Sequence, residues 1–163
     1  MNREALLHDK ASVYLIQMIY VEVVAYLRKK LESIEEIEKR IRKMGENIGR
    51  TMFIYYRPRK KSPISIMKDF IRVATGLSGV RIKKKFKKQN KKIIVIYKVC
   101  PLCNREIETK GLRYCLPTMA IIEEYVNQCI KEGKLKKFNR VEGEVIKSIA
   151  SGDDRCEYHF YFK

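Results

Sequence analysis

Tryptophan is absent, histidine occurs twice, proline four times and glycine eight times in 163 residues. Neither His8 nor His159 has a placed partner, so no arrangement for nucleophilic catalysis can be read. The glycines form no phosphate-cradling loop and no dinucleotide fingerprint. No run reaches the roughly 18 apolar residues that span a bilayer; the best, Val13 to Leu27, is interrupted by Gln17 and Glu22. Met1-Asn2-Arg3-Glu4 carries an acid and leads into no cleavable apolar region, so no signal peptide is read. A cytoplasmic chain is therefore expected, in which clustered cysteines read as metal ligands before disulfides. Acidic residues are few, 19 against 36 Lys and Arg, for a net charge of +17. That excess favours anionic partners. A Lys- and Ile-rich chain without Trp also fits a thermophilic proteome.

What is present is 45% hydrophobic, enough to exclude a disordered polymer. The length suits one domain, 1–163, with a sizeable core. Within it, 1–32 reads as a helical extension and 33–163 as the folded body. Residues 4–31 predict a long helix, because Leu6, Val13, Ile16, Tyr20, Val24, Leu27 and Leu31 recur at helical spacing. Ser33 and Glu36 form a capping box that starts a second helix with the stripe Ile34, Ile37, Ile41, Met44 and Ile48. Gly45 and Gly49 share one face of it and either admit the close approach of another backbone or mark a weak helix end, since glycine disfavours helix. Thr51 to Tyr56 extends that helix or forms a strand. Arg57 to Pro63 is a linker with two prolines and four bases. Ser62 caps a third helix that opens with Pro63 and ends near Gly76.

Strand signals follow. Val80, Ile82, Lys84 and Phe86 alternate with bases and predict an edge strand. A turn at Gln89-Asn90 leads to a buried strand over Ile93 to Val99. Leu116 to Lys131 predicts a helix. Val141 to Ala150 and Arg155 to Phe162 predict a closing hairpin turned by Ser151-Gly152-Asp153-Asp154. The fold class is α+β, an antiparallel sheet with helices packed on it, preceded by a long N-terminal helix.

Four of the five cysteines fall at element ends. Cys100-Pro101-Leu102-Cys103 is a CxxC knuckle after a strand, a spacing that lets two thiolates face one ion. Cys115 follows after eleven intervening residues at a helix N-terminus, where the dipole favours thiolate. Cys156 opens the last strand, which can lie beside the strand carrying Cys100. Cys100, Cys103, Cys115 and Cys156 are thus the expected ligands of one structural zinc, although a second CxxC knuckle is lacking. Cys129 reads as core, and His159 should lie on the sheet face opposite Cys156.

The segment Ser151-Gly152-Asp153-Asp154-Arg155-Cys156-Glu157-Tyr158-His159-Phe160 resembles the closing signature of the 4-vinyl reductase domain family. Cys115 before its helix and Met44 to Arg50 are similar to it as well, so the resemblance covers most of 33–163. That family is related in fold to subunits of the TRAPP vesicle-tethering complex, to haem-nitric-oxide sensor domains and to the sensory domains of phenol-responsive activators. The resemblance implies an α/β plait that encloses a small-molecule pocket, dimerises through N-terminal helices and carries a structural zinc. In the phenol-sensor pattern a glutamate and a cysteine would stand at Val145 and Ser148, ligands this sequence lacks and that Cys100 and Cys103 can replace.

The leading expectation is a zinc-containing sensor or adaptor domain for an apolar or aromatic small molecule, a homodimer through 1–32. Tyr14, Phe53, Tyr55 and Phe70 are the candidate pocket residues. One alternative is a nucleic-acid-binding protein using Arg81, Lys83, Lys84, Lys85, Lys87, Lys88, Lys91 and Lys92, with Arg59, Lys60 and Lys61 as a second cluster. Nucleic acid is not favoured, because Phe86 is the lone aromatic in the basic hairpin and lysines on an edge strand commonly guard against pairing. A second alternative, a tetrapyrrole vinyl reductase, rests on the family label.

Overall fold

The Ser33 Oγ accepts the Glu36 N–H at 3.4 Å and starts helix α2, Ile34–Tyr55. The same device begins α3, Pro63–Thr75, where the Ser62 Oγ accepts the Ser65 N–H at 3.2 Å. The computed structural model describes residues 18–75, 80–87, 90–100, 102–103 and 111–163. Residues 18–30 are helical and are called α1. The earlier part of the predicted first helix, with Leu6, His8, Val13, Tyr14 and Ile16, lies outside the described residues, as do Gly76, Lys88 and Gln89.

The chain continues through β1, Arg81–Lys87, β2, Asn90–Tyr97, α4, Leu116–Lys131, β3, Val141–Lys147, and β4, Cys156–Phe162. The strands form one antiparallel sheet in the order β1-β2-β4-β3, so the α+β expectation holds. Alternation sorts its faces. Ile93, Val95 and Tyr97 of β2, with Cys156, Tyr158, Phe160 and Phe162 of β4, are buried and join the helices in one core.

Two predicted strands end early, for reasons that matter below. Strand β2 begins at Asn90 and stops at Tyr97, because the chain bends at 98–99 to enter the cysteine knuckle, leaving Val99 exposed. Strand β3 stops at Lys147, and Ile149–Ser151 forms a 3-10 turn closed by Gly152 at φ 89°. Thr51 to Tyr55 extends α2, and the linker predicted after it is non-helical until Pro63.

Helix α2 lies directly on α4 through its two glycines. A Cβ at Gly45 would stand 2.6 Å from the Pro117 carbonyl oxygen, and one at Gly49 2.5 Å from that of Ile121. Only glycine permits that approach. Arg42 of α2 reaches both carboxylate oxygens of Glu123 on α4 at 2.7 and 2.6 Å, and Glu123 also accepts the Gly143 N–H of β3 at 2.9 Å. Helix α4 ends in a Schellman motif: Gly133, at φ 72°, donates to Ile130, and Lys134 donates to Cys129.

A buried cysteine cluster beside an apolar cavity

Sheet pairing assembles the cysteines. Tyr97 pairs with Cys156, so the end of β2 and the start of β4 are neighbours. The chain bends after Tyr97 and delivers Cys100 and Cys103 to the same place. The Sγ atoms of Cys100, Cys103 and Cys156 all lie within 4.8 Å of one another, and all three residues are fully buried. Cys115, the N-cap of α4, is buried too. Its thiol lies outside that mutually close trio but interacts with Cys103 and Cys156. Cys129 stands apart in the core, where burial pushes its thiol up to about 12.

The four thiols shift one another's affinity for protons. Hydrogen bonds from Cys103 and Cys156 hold Cys100 well below the ordinary thiol range, and the same two residues lower Cys115. Cys103 is pushed up by its bond to Cys100 and then by Cys115. Cys156 is pushed up chiefly by Cys100. Four such groups cannot all ionise unaided, whereas a cation in their midst replaces their protons and stabilises every thiolate.

The surroundings suit charged sulfur. The Ile149 N–H donates to Cys156 Sγ at 3.4 Å, and the Ser148 hydroxyl lies 3.9 Å from Cys103 Sγ. The Tyr158 hydroxyl is 3.6 Å from Cys100 Sγ, and the Leu102 backbone bonds to Cys100 as well. Ser148 and Ile149 reach the cluster because β3 ends early in the 3-10 turn. Sequence reasoning did not assign these supporting donors. The signal for Ser148 was its place where the phenol-sensor pattern has a cysteine. A buried cluster of soft sulfur donors is able to hold a metal ion.

Adjoining the cluster is an apolar cavity of about 370 Å³. Ile19, Tyr20 and Val23 of α1 line it, with Met44, Ile48 and Met52 of α2. Phe70 and Ile71 of α3 and the α4 residues Pro117, Ile121 and Ile122 complete its helical walls. Leu102, between Cys100 and Cys103, projects into the lining, so knuckle and cavity share a wall. Tyr97 also lines it, and its hydroxyl is buried with no hydrogen-bond partner among the described residues. None of the lining residues is a cysteine.

Of the candidate pocket residues, Phe70 lines this cavity and stacks on Tyr125, with ring centroids 3.8 Å apart. Phe53 is buried in edge contact with Tyr125, ring centroids 5.7 Å apart, and does not line the cavity. Tyr55 is 85% exposed, because it falls on the outer face of α2. Tyr14 lies outside the described residues. Sequence reading missed Met52, Leu102, Tyr97 and the α4 residues. The available signal was the helical spacing of Met44, Ile48 and Met52, which sits beside the core stripe of Ile37 and Ile41.

His159 is on the sheet face opposite Cys156. Its Nε2 lies 2.8 Å from Glu157 and its Nδ1 3.3 Å from Lys92. On that face Arg81, Lys83, Lys85 and Lys98 border a shallow cleft together with Asp154 and Glu157, so the basic strand faces carboxylates. Among the described residues no helix is long and apolar enough to cross a membrane.

Comparison with known proteins follows the same lines. Residues 16–122 match the family described as transport protein particle (TRAPP) component. No curated protein matches the sequence. Among solved structures, the chain is similar to trafficking protein particle complex subunit 3 from Naegleria fowleri, covalently bound to palmitic acid. The identity is 21%, the match covers 94% of this chain and 96% of that one, and the TM-score is 0.74. It is also similar to the phenol-responsive sensory domain of the transcription activator PoxR with phenol. There the identity is 8%, the coverage 88% and 74%, and the TM-score 0.52. Both likenesses are likenesses of fold. The 4-vinyl reductase resemblance thus finds support in its fold relatives rather than in that family itself. The chain belongs to the transport protein particle (TRAPP) component family.

Proposed function

We propose that this chain is a ligand-binding adaptor domain that holds an apolar molecule non-covalently between α1, α2, α3 and α4. The observation that carries this reading is the cavity. Its volume falls at the lower end of the roughly 300–1,000 Å³ of small-molecule sites, its walls are apolar, and it contains one buried hydroxyl without a partner among the described residues. Such a site suits an acyl chain or an aromatic ring bearing one polar group, which Tyr97 would hydrogen-bond. The two similar structures hold ligands of that kind, palmitic acid and phenol. A thioester is not expected here, because no cysteine lines the cavity.

In this reading one zinc ion, bound by Cys100, Cys103, Cys115 and Cys156, fixes the wall that Leu102 contributes. Four thiolates would leave no open coordination position, so the ion's role would be structural. Assembly through the N-terminal helices, with a second copy or with related subunits, completes the proposal. It is supported by exposed apolar residues on α1, with Met18 69% and Tyr26 60% exposed.

The test is mass spectrometry of the purified protein under native and denaturing conditions, with displacement of a fluorescent fatty acid. A retained apolar molecule that denaturation releases, and a probe that a fatty acid or a phenol displaces, is the expected result. Failure to bind any apolar probe would sink the reading.

A further inference from the structure

Among the described residues, a dense concentration of basic side chains lies away from both the cysteines and the edge strand. It lines an open cleft of about 990 Å³ between the α2–α3 linker and the loop that follows α4. Arg59, Lys60 and Lys61 stand on one wall, Lys134, Lys136 and Lys137 on the other, and none of the lining residues is acidic. Pro58 and Leu135 are buried between the walls.

This cleft is held in shape rather than being a chance meeting of long side chains. The Tyr125 hydroxyl donates to the Tyr56 carbonyl at 2.8 Å and anchors the start of the linker. The Lys134 Nζ donates to the Pro58 carbonyl at 3.2 Å and ties the walls together. The Schellman motif at Gly133 satisfies the last carbonyls of α4, so the following lysines are not needed as caps. Two carboxylates adjoin the cleft, and one of them pairs with Arg57, a base of its lining. Glu132 lies 3.5 Å from Arg57, and Asp69 is bound by Tyr56 at 2.7 Å and Arg72 at 2.9 Å. Arg59, Lys60, Lys61, Lys136 and Lys137 make no ion pair among the described residues. The N-terminus of α3 opens at the same place with no acidic residue in its first turn, which adds a positive end to the cleft.

We propose that this cleft binds a compact ligand carrying two or more phosphate groups. Like charges held on facing walls repel one another, and a multiply charged anion between them relieves that repulsion while accepting several charge-assisted hydrogen bonds. Phosphate chemistry fits better than carboxylate chemistry, because a phosphate group carries up to two charges where a carboxylate carries one and so relieves more of the repulsion per group, while lysines and a helix N-terminus bind either. A long polymer is less suited. The bases converge from two walls instead of running in line, and the one aromatic in the lining, Phe138, is only partly exposed. The sheet face differs, since the cleft there is lined by the carboxylates of Asp154 and Glu157 as well as by bases.

The experiment is titration calorimetry of the full chain with tripolyphosphate near physiological salt. Parallel co-sedimentation uses phosphatidylcholine vesicles with and without phosphatidylinositol bisphosphate. The test variant is Lys60→Glu with Lys61→Glu and Lys136→Glu, all exposed positions. The control is Lys83→Glu with Lys85→Glu, exposed on β1. One tripolyphosphate per chain is expected, weakened roughly a thousandfold in the test variant and unchanged in the control, since each of the three charge-assisted bonds lost is worth about tenfold. Vesicle binding that needs the bisphosphate lipid and the same three lysines assigns the phosphates to a lipid headgroup; tripolyphosphate binding alone assigns them to a soluble ligand. Absence of saturable binding, or equal loss in both variants, overturns the proposal. So does single-stranded RNA binding that depends on Lys83 and Lys85 alone. Circular dichroism of both variants separates lost binding from lost fold.

Discussion

At the scale of the residue, the two sites make opposite demands of polar groups. The cysteines gain from every donor turned toward them, so a metal-bound cluster should respond sharply to losing one sulfur. Replacing Cys103 with Ser should release metal, read as zinc per chain by elemental analysis, whereas Cys129→Ala should leave the stoichiometry unchanged. Cys129 is buried away from the cluster, so its loss should show only as a core cavity. No metal in carefully purified wild-type protein would defeat this prediction. Tyr97 is the reverse case. Its hydroxyl is buried without a partner among the described residues, and an unsatisfied buried hydroxyl costs about 1–3 kcal/mol. Tyr97→Phe should therefore leave the empty protein as stable or more so, and weaken binding of a ligand that carries a polar group. A thermal melt and a fluorescent fatty-acid titration on one variant check both signs. Equal affinity in both proteins would show that Tyr97 does not meet the ligand.

At the scale of the element, what was legible was what chain-local chemistry decides. The capping serines Ser33 and Ser62, the glycine pair on α2 and the span of α4 followed from spacing and caps alone. The ends of β2 and β3 were not legible, because both are set by the cysteine cluster. A strand pattern carries no sign that Val99 must turn outward or that Ile149 must donate to a sulfur. The glycine pair gives a direct test. Gly45→Ala and Gly49→Ala each push a methyl against an α4 carbonyl, so each should destabilise by about 1–3 kcal/mol in urea melts, although alanine is the better helix former. A gain in stability would mean that the two helices can separate without loss. The Glu38–Arg113 pair is a second inter-element tie. Glu38 accepts the Arg113 N–H at 2.8 Å and its guanidinium, and so fixes the loop two residues before Cys115. Burial alone would raise the Glu38 carboxyl, but the Arg113 hydrogen bonds and charge outweigh it and hold it below the usual 4.5. Its contribution is then fully present above 4.5 and is lost as the pH falls through the lower folded value. Glu38→Gln should lower stability at neutral pH by about 1–2 kcal/mol and flatten the acid limb of the stability profile.

At the scale of the whole molecule, the sequence told how much charge there is but not where it opposes itself. Among the described residues, part of the basic excess behind the net +17 lies on a sheet face that also carries carboxylates and part in a cleft whose lining has none, and only the folded arrangement separates the two. Hydrophobic surface shows the same limit. The periodicity of α1 shows a stripe, but not which part enters the core. In the fold Tyr20 and Val24 turn inward, and the Tyr20 hydroxyl donates to the Tyr114 carbonyl at 2.7 Å. Met18 and Tyr26 stay outside on α1, as does Ile54 on α2. Large exposed apolar side chains on neighbouring helices mark an association surface. A stable pair buries on the order of 1,200–2,000 Å² in total, which residues at the rim of one helix cannot supply alone, so more than α1 must take part. A homodimer on the N-terminal helices should then appear in light scattering as twice the 19.3 kDa chain mass. Met18→Glu with Tyr26→Glu should shift it to the monomer, because two buried carboxylates without partners are expensive at an apolar interface. Both positions lie outside the cavity lining, so ligand binding by the monomeric variant separates assembly from the pocket. A wild-type mass of one chain at tens of micromolar would remove self-association and leave a different subunit as the partner for this face.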